Sequence, residues 1–103
     1  MALDIKVLAH GTLPVATGNL YVVPVDTKAI VKTLKVVNSD TAAREINLYV
    51  KPDGETARRI VPVDMELGAG YMGVEDEELT LGAGDAIQGD TSAADVIDYT
   101  IHG

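Results

Sequence analysis

The sequence predicts an all-β fold, an antiparallel β-sandwich of about eight strands with a jelly-roll-like layout. Three observations support this prediction. Apolar residues recur at every second position in several segments, turn-forming residues separate these segments, and no segment keeps the 3.6-residue period of a helix. The composition agrees, because valine and isoleucine favour strands and the chain has neither phenylalanine nor tryptophan. The 103 residues fit one domain, 1–103, in which residues 1–10 form either a first strand or an N-terminal arm.

Alternation predicts four strands in the first half of the chain. Near the N-terminus Leu3, Ile5 and Val7 alternate with charged residues. The longest apolar run changes phase at Lys32, which predicts a β-bulge at that position. The expected strands are residues 3–7, 19–23, 28–38 and 46–50.

Shorter apolar runs predict the strands of the second half. Pro62 interrupts one of them, which is typical of an edge strand or a bulge. The string Leu-Gly-Ala-Gly occurs twice, at residues 67–70 and 81–84, and each copy precedes an apolar run. Both copies are therefore expected to form tight turns that enter strands. The expected strands are residues 60–63, 71–74, 79–81, 85–88 and 97–101.

The charge is strongly acidic and unevenly distributed. The net charge is −8, with +2 in residues 1–51 and −10 in residues 52–103. Nucleic-acid binding needs a clustered basic face and stacking aromatics, so we expect no nucleic-acid partner. No apolar run approaches the ~20 residues needed to cross a bilayer, so no membrane association is expected. The absence of cysteine excludes disulfides and thiolate chemistry.

No constellation of residues predicts catalysis or metal binding. His10 and His102 lie at opposite ends of the sequence, and Ser39 and Ser92 are not in a nucleophile turn. The acidic run at residues 75–78 would not converge on one calcium ion, because consecutive strand residues point to opposite faces. That run is either a solvated loop or a negative patch that meets a basic partner. We expect no enzyme activity, no metal and no cofactor.

Two blocks of sequence resemble a known class of proteins. The first comprises residues 21–24, 28–38 and 46–50, and the second comprises residues 79–88 and 96–103. In order and spacing they resemble the small β-sandwich virion proteins of tailed bacteriophages. The shared layout is a Tyr-x-Val-Pro start, a long strand ending in asparagine, a Leu-Tyr-Val strand and a late Ala-Gly-Asp-x-Ile turn. The resemblance covers most of the chain from Tyr21 onward and brings no catalytic residue with it.

The resemblance implies a particle component, most simply a capsid decoration (cement) protein that binds and stabilises the assembled head. Its partners would be the major capsid protein or other virion subunits, and its location the virion after synthesis in the host cytoplasm. A homo-oligomer, with a trimer favoured, would supplement a thin core. One alternative is a tail or baseplate accessory protein. Another is a carbohydrate-binding module, for which four tyrosines without tryptophan provide few aromatic platforms.

Two segments are the expected protein interface. The apolar N-terminal arm is either the first strand of the sandwich or a docking element that adds a strand to an exposed edge. The acidic run is the expected meeting point for a basic partner. The interface residues are Leu3, Ile5, Val7, Leu8, Glu75, Asp76, Glu77 and Glu78.

Overall fold

The computed structural model describes residues 7–75, 78–93 and 95–103. Within these ranges the chain forms eleven β-strands and no helix. The strands are β1 (Val7–Thr12), β2 (Gly18–Val22), β3 (Ala29–Val31), β4 (Thr33–Asn38), β5 (Arg44–Lys51), β6 (Arg58–Arg59), β7 (Met65–Leu67), β8 (Met72–Glu75), β9 (Leu79–Leu81), β10 (Ala86–Thr91) and β11 (Ile97–His102). The predicted all-β class is confirmed.

The strands form two main sheets and a short ribbon. Sheet I has the order β1-β11-β4-β8, and sheet II has the order β2-β10-β5-β6, with β7 also paired to β5. The ribbon consists of β3 and β9. Every pair is antiparallel. Consecutive strands such as β1 and β2, β4 and β5, or β10 and β11 lie in different sheets, so the chain repeatedly crosses from one sheet to the other.

One aliphatic core lies between the sheets. Alternation places Ile46 and Leu48 of β5 on the inner face of sheet II, and Ile97 and Ile101 of β11 on the inner face of sheet I. All four are at most 1% exposed, and they belong to a single buried cluster. Full burial of each such side chain stabilises the fold by about 1.5–3 kcal/mol. These two strands and their neighbours therefore contribute much of the core.

The longest expected strand is divided at Lys32. Residues 29–31 pair with β9, whereas residues 33–38 join sheet I. Between them the Lys32 N–H donates to the His102 carbonyl at 2.7 Å. The phase change in the sequence therefore marks a break between two strands rather than a bulge within one.

The prediction of a strand at residues 60–63 is wrong. This segment is a bend between β6 and β7. Pro62 has no N–H for a ladder, and Asp64 adopts a left-handed φ of 48°. Val61 is nevertheless 9% exposed and belongs to the core cluster. Val61 and the partly buried Ile60 pack against the core without forming a strand, whereas Val63 is 63% exposed.

Both Leu-Gly-Ala-Gly strings form the same turn, as the repeat predicts. Gly70 and Gly84 adopt φ values of 73° and 84°, a region that side chains disfavour. The Tyr71 N–H donates to the Gly68 carbonyl at 3.0 Å, and the Asp85 N–H donates to the Gly82 carbonyl at 3.1 Å. The first turn leads into β8 and the second into β10.

Candidate protein-interaction surface

The sandwich is incompletely closed along one side, which we call the open side. There β8 forms the edge of sheet I, and β6 and β7 form the edge of sheet II. A cavity of about 240 Å³ lies between these edges. Its lining is almost entirely apolar and consists of Leu34, Val36, Leu48, Ile60, Val61, Pro62, Met65, Gly73 and Val74.

Strand β8 exposes apolar side chains beside this cavity. Met72 and Val74 are 62% and 52% exposed, and Tyr71, directly before the strand, is 70% exposed. Gly73 alternates with Met72 and Val74 and so belongs to the inner face, where an added Cβ would lie 3.4 Å from Val36 Cγ2. The strand therefore has apolar groups on its outer face and no side chain at Gly73 on its inner face.

The backbone of β8 also has an unpaired side among the described strands. The Asn38 N–H donates to the Tyr71 carbonyl at 2.9 Å, which makes these two residues a hydrogen-bonded pair. In an antiparallel ladder such pairs alternate with pairs whose backbone groups point away from each other. Because Val37 is opposite Met72 and Lys35 is opposite Val74, the N–H and C=O groups of Met72 and Val74 point away from β4. An edge of this kind is a template for another strand.

Of the predicted interface residues that the structure describes, Val7 and Leu8 lie at one edge of sheet I, Glu75 lies at the opposite edge, and Glu78 directly precedes β9. Val7 begins β1 and is 46% exposed, whereas Leu8 is partly buried against the core. Glu75 ends β8, and the exposed Glu78 forms an ion pair with Lys32. Leu3, Ile5, Asp76 and Glu77 lie outside the described residues. Their role as an interface stays a prediction.

Sequence reasoning missed the apolar edge itself. A half-buried strand alternates apolar and polar residues, but the four residues from Tyr71 to Val74 include no charged or amide side chain. That departure is the signal that could have identified β8 as a strand with a second apolar face. The contribution of residues 60–62 to the cavity could not be inferred, because it depends on the pairing of distant strands.

The outer face of sheet II carries a network of polar side chains. Asn47 Nδ2 donates to Asp64 Oδ1 at 3.0 Å and to Asp90 Oδ1 at 2.8 Å. Asn47 Oδ1 accepts from Arg59 at 2.6 Å and from the Asp64 N–H at 2.9 Å. Arg59 also lies 5.0 Å from the centre of the Tyr49 ring, and the Tyr49 hydroxyl lies 3.2 Å from Asp90 Oδ2. This network fixes both ends of the 60–63 bend, and that bend is one wall of the cavity.

Two carboxylates have lowered pKa values, each with a structural cause. The Arg44 guanidinium, which lies 2.7 Å from Asp40, lowers the pKa of that carboxyl. The backbone N–H groups of Asp53 and Gly82, each 2.8 Å from a carboxylate oxygen, lower the pKa of Asp85. Both carboxylates hold turns in place, and neither lines the cavity.

The two histidines are closer in the fold than in the sequence. Pairing of β1 with β11 places His10 opposite Thr100, which is two residues from His102, so both histidines lie on the outer face of sheet I. In the described ranges no group of three or more histidine, aspartate or glutamate side chains could hold a metal ion. The absence of metals, cofactors and catalysis stays a prediction.

No helix in the described parts of the chain could cross a membrane. Comparisons with models of protein families, with curated proteins and with solved structures found no match.

Proposed function

We propose that this chain is a structural protein of a tailed-bacteriophage virion and, within that class, a capsid decoration (cement) protein. The observation that carries the proposal is the open side, where the exposed apolar strand β8 borders an apolar cavity. Contiguous exposed apolar surface of this kind marks protein–protein contact sites. The sequence resemblance supplies the class of particle to which the partner belongs.

The strand order supports the jelly-roll layout that the resemblance implies. Sheet I contains β1, β4, β8 and β11, whereas sheet II contains β2, β5, β6, β7 and β10. If the interrupted pairs β3–β4 and β6–β7 each count as one strand and the short β9 is set aside, successive strands cross between the sheets except for β5 and β6–β7, which both lie in sheet II. This order resembles that of a jelly roll. The jelly-roll fold hosts many unrelated functions. It is therefore compatible with a virion protein but does not indicate which role that protein has.

Mass action explains how such a protein would stabilise a capsid. A protein that binds only the assembled shell stabilises the shell. The stabilisation grows with the logarithm of the protein's free concentration relative to its dissociation constant. The net charge of −8 favours a basic surface on the particle. A trimer, as the resemblance implies, would let several weak contacts act together. Sedimentation equilibrium at micromolar concentration tests the trimer, and a monomer alone would contradict it in solution.

The two alternatives predict different observations. A tail or baseplate accessory protein would use the same open side but occupy one end of the particle. A carbohydrate-binding module would need an aromatic platform, and the ring of Tyr49 is already in contact with Arg59 while its hydroxyl contacts Asp90. A glycan array tests that class, since specific binding lost on Tyr71→Ala would favour it over the structural role.

Immunogold labelling of purified particles tests the proposed function. Particles from cells that produce the tagged chain are separated on a density gradient and imaged by negative-stain electron microscopy. A decoration protein predicts many gold particles distributed over the head. Labelling confined to one pole would favour the tail alternative, and a particle fraction without the chain would contradict both.

A further inference from the structure

We infer that β8 binds an extended segment of a partner protein as an added strand, with one large apolar side chain of that segment seated in the cavity and basic residues on its flank. The inference rests on the proposed function, because it presumes that the open side meets another protein. It adds the type of contact and the chemistry of the partner.

The backbone of β8 provides the first argument. The outward N–H and C=O groups of Met72 and Val74 are spaced as one side of an antiparallel ladder, and no described strand pairs with them. Strand addition to a free edge uses main-chain hydrogen bonds for affinity and pockets at alternate positions for specificity. On the outer face, Met72 and Val74 would contact alternate side chains of the added strand.

The cavity provides the second argument. Its volume of about 240 Å³ lies below the ~300–1,000 Å³ typical of small-molecule sites, so it suits a single side chain. Gly73 has no side chain to fill the space on the inner face of β8. A residue of the added strand opposite Gly73 would point between the sheets towards Leu48 and Ile60, which line the cavity. A large apolar cross-strand side chain beside an edge glycine is a recognised way to complete a sheet.

Charge provides the third argument and selects the partner. The acidic run of residues 75–78 begins at the last residue of β8. Each copy of the chain carries a net charge of −8, so like charge opposes pairing of β8 with β8 of a second copy. A segment with lysine or arginine beside its apolar anchor would meet the run favourably. The occupant is therefore a basic, extended segment of another protein.

Nuclear magnetic resonance titration of the full chain tests the inference with a short synthetic peptide. In the peptide threonine alternates with apolar residues, leucine is central and lysine stands at both ends. Amide shifts should concentrate in β8 and residues 60–65. Replacing the central leucine by serine, or the lysines by aspartate, should weaken binding about tenfold or more. Val74→Pro, which removes an outward N–H without breaking a bond to β4, should abolish binding.

Two controls keep the result interpretable. Val25→Pro alters an exposed turn position before the left-handed Asp26, where proline is well tolerated, and should bind as the original chain does. A peptide with N-methyl groups on alternate residues lacks the ladder donors and should fail to bind the unaltered chain, whether or not Val74→Pro folds.

Three results would overturn the inference: equal binding by Val74→Pro or by the N-methylated peptide, indifference to the central leucine, or self-association through β8 without peptide. If particles bind the original chain and the Val74→Pro chain equally, strand addition fails while the proposed function stands. If the peptide binds β8 but the chain never joins particles, the proposed function fails instead.

Discussion

The two Leu-Gly-Ala-Gly turns have the same sequence and the same backbone form, but they lead into strands of opposite character. The first leads into β8, at the exposed edge of sheet I. The second leads into β10, which lies between β2 and β5 in the interior of sheet II. One local motif therefore serves both an exposed edge strand and an inner strand.

The residue that follows each turn also differs. After the second turn, the Asp85 carboxylate accepts hydrogen bonds from the Gly82 and Asp53 N–H groups, each at 2.8 Å, and ties β10 to the end of β5. After the first turn, the corresponding residue is Tyr71. Its ring lies close over Gly68, because a Cβ added to Gly68 would be 2.8 Å from Tyr71 Cδ2. A carboxylate thus anchors one strand, whereas an exposed aromatic ring leaves the other available for contact.

The largest expected effect separates the two strands by their contribution to stability. Ile87→Ala in β10 removes a side chain that is fully buried and should lower the free energy of unfolding by about 2–5 kcal/mol. Met72→Ala in β8 removes an exposed side chain and should change it by no more than about 0.5 kcal/mol. Urea denaturation followed by circular dichroism measures both. A loss on Met72→Ala that matches the loss on Ile87→Ala would contradict this comparison.

A smaller effect distinguishes the turns themselves. Gly70→Ala and Gly84→Ala both place a side chain at positive φ, which costs about 1–2 kcal/mol. At Gly84 the new Cβ would also lie 2.7 Å from Asp53 Cγ, whereas at Gly70 nothing lies within 4 Å. Gly84→Ala should therefore lower the melting temperature more than Gly70→Ala does. Equal shifts would show that the contact with Asp53 does not constrain the second turn.

The smallest effect is a pH dependence at Asp85. Because its pKa in the folded chain is lowered, the carboxylate stabilises the fold above the unfolded-state pKa of about 3.9, and this stabilisation disappears as pH falls through the lowered value. Asp85→Asn should be less stable than the original chain at pH 6, and the difference should shrink below about pH 4. Thermal melts across this range measure it, with Asp98→Asn at an exposed position of β11 as the control. A difference that persists unchanged at low pH would exclude the carboxylate as its source.

The sequence predicted what depends on local pattern. Alternation located β5 and β11, because each has one face in the core, and the repeated glycine string located both turns. The open side was not predictable, because it depends on which strands end each sheet, and that order is set by pairing between distant residues. Residues 60–63 show the same limit, since Ile60 and Val61 pack against the core because of where the bend lies and not because they belong to a strand.

The central claim is that the open side binds the particle while the rest of the sandwich maintains the fold. Co-sedimentation of purified variants with particles that lack the chain tests it most directly. The double variant Met72→Asp, Val74→Asp should keep its melting temperature and bind at least about tenfold more weakly. The control Val15→Asp, Val25→Asp, at loop positions that are also exposed, should bind as the original chain does. Unchanged binding by the β8 variant, or an equal loss in the control, would contradict the claim.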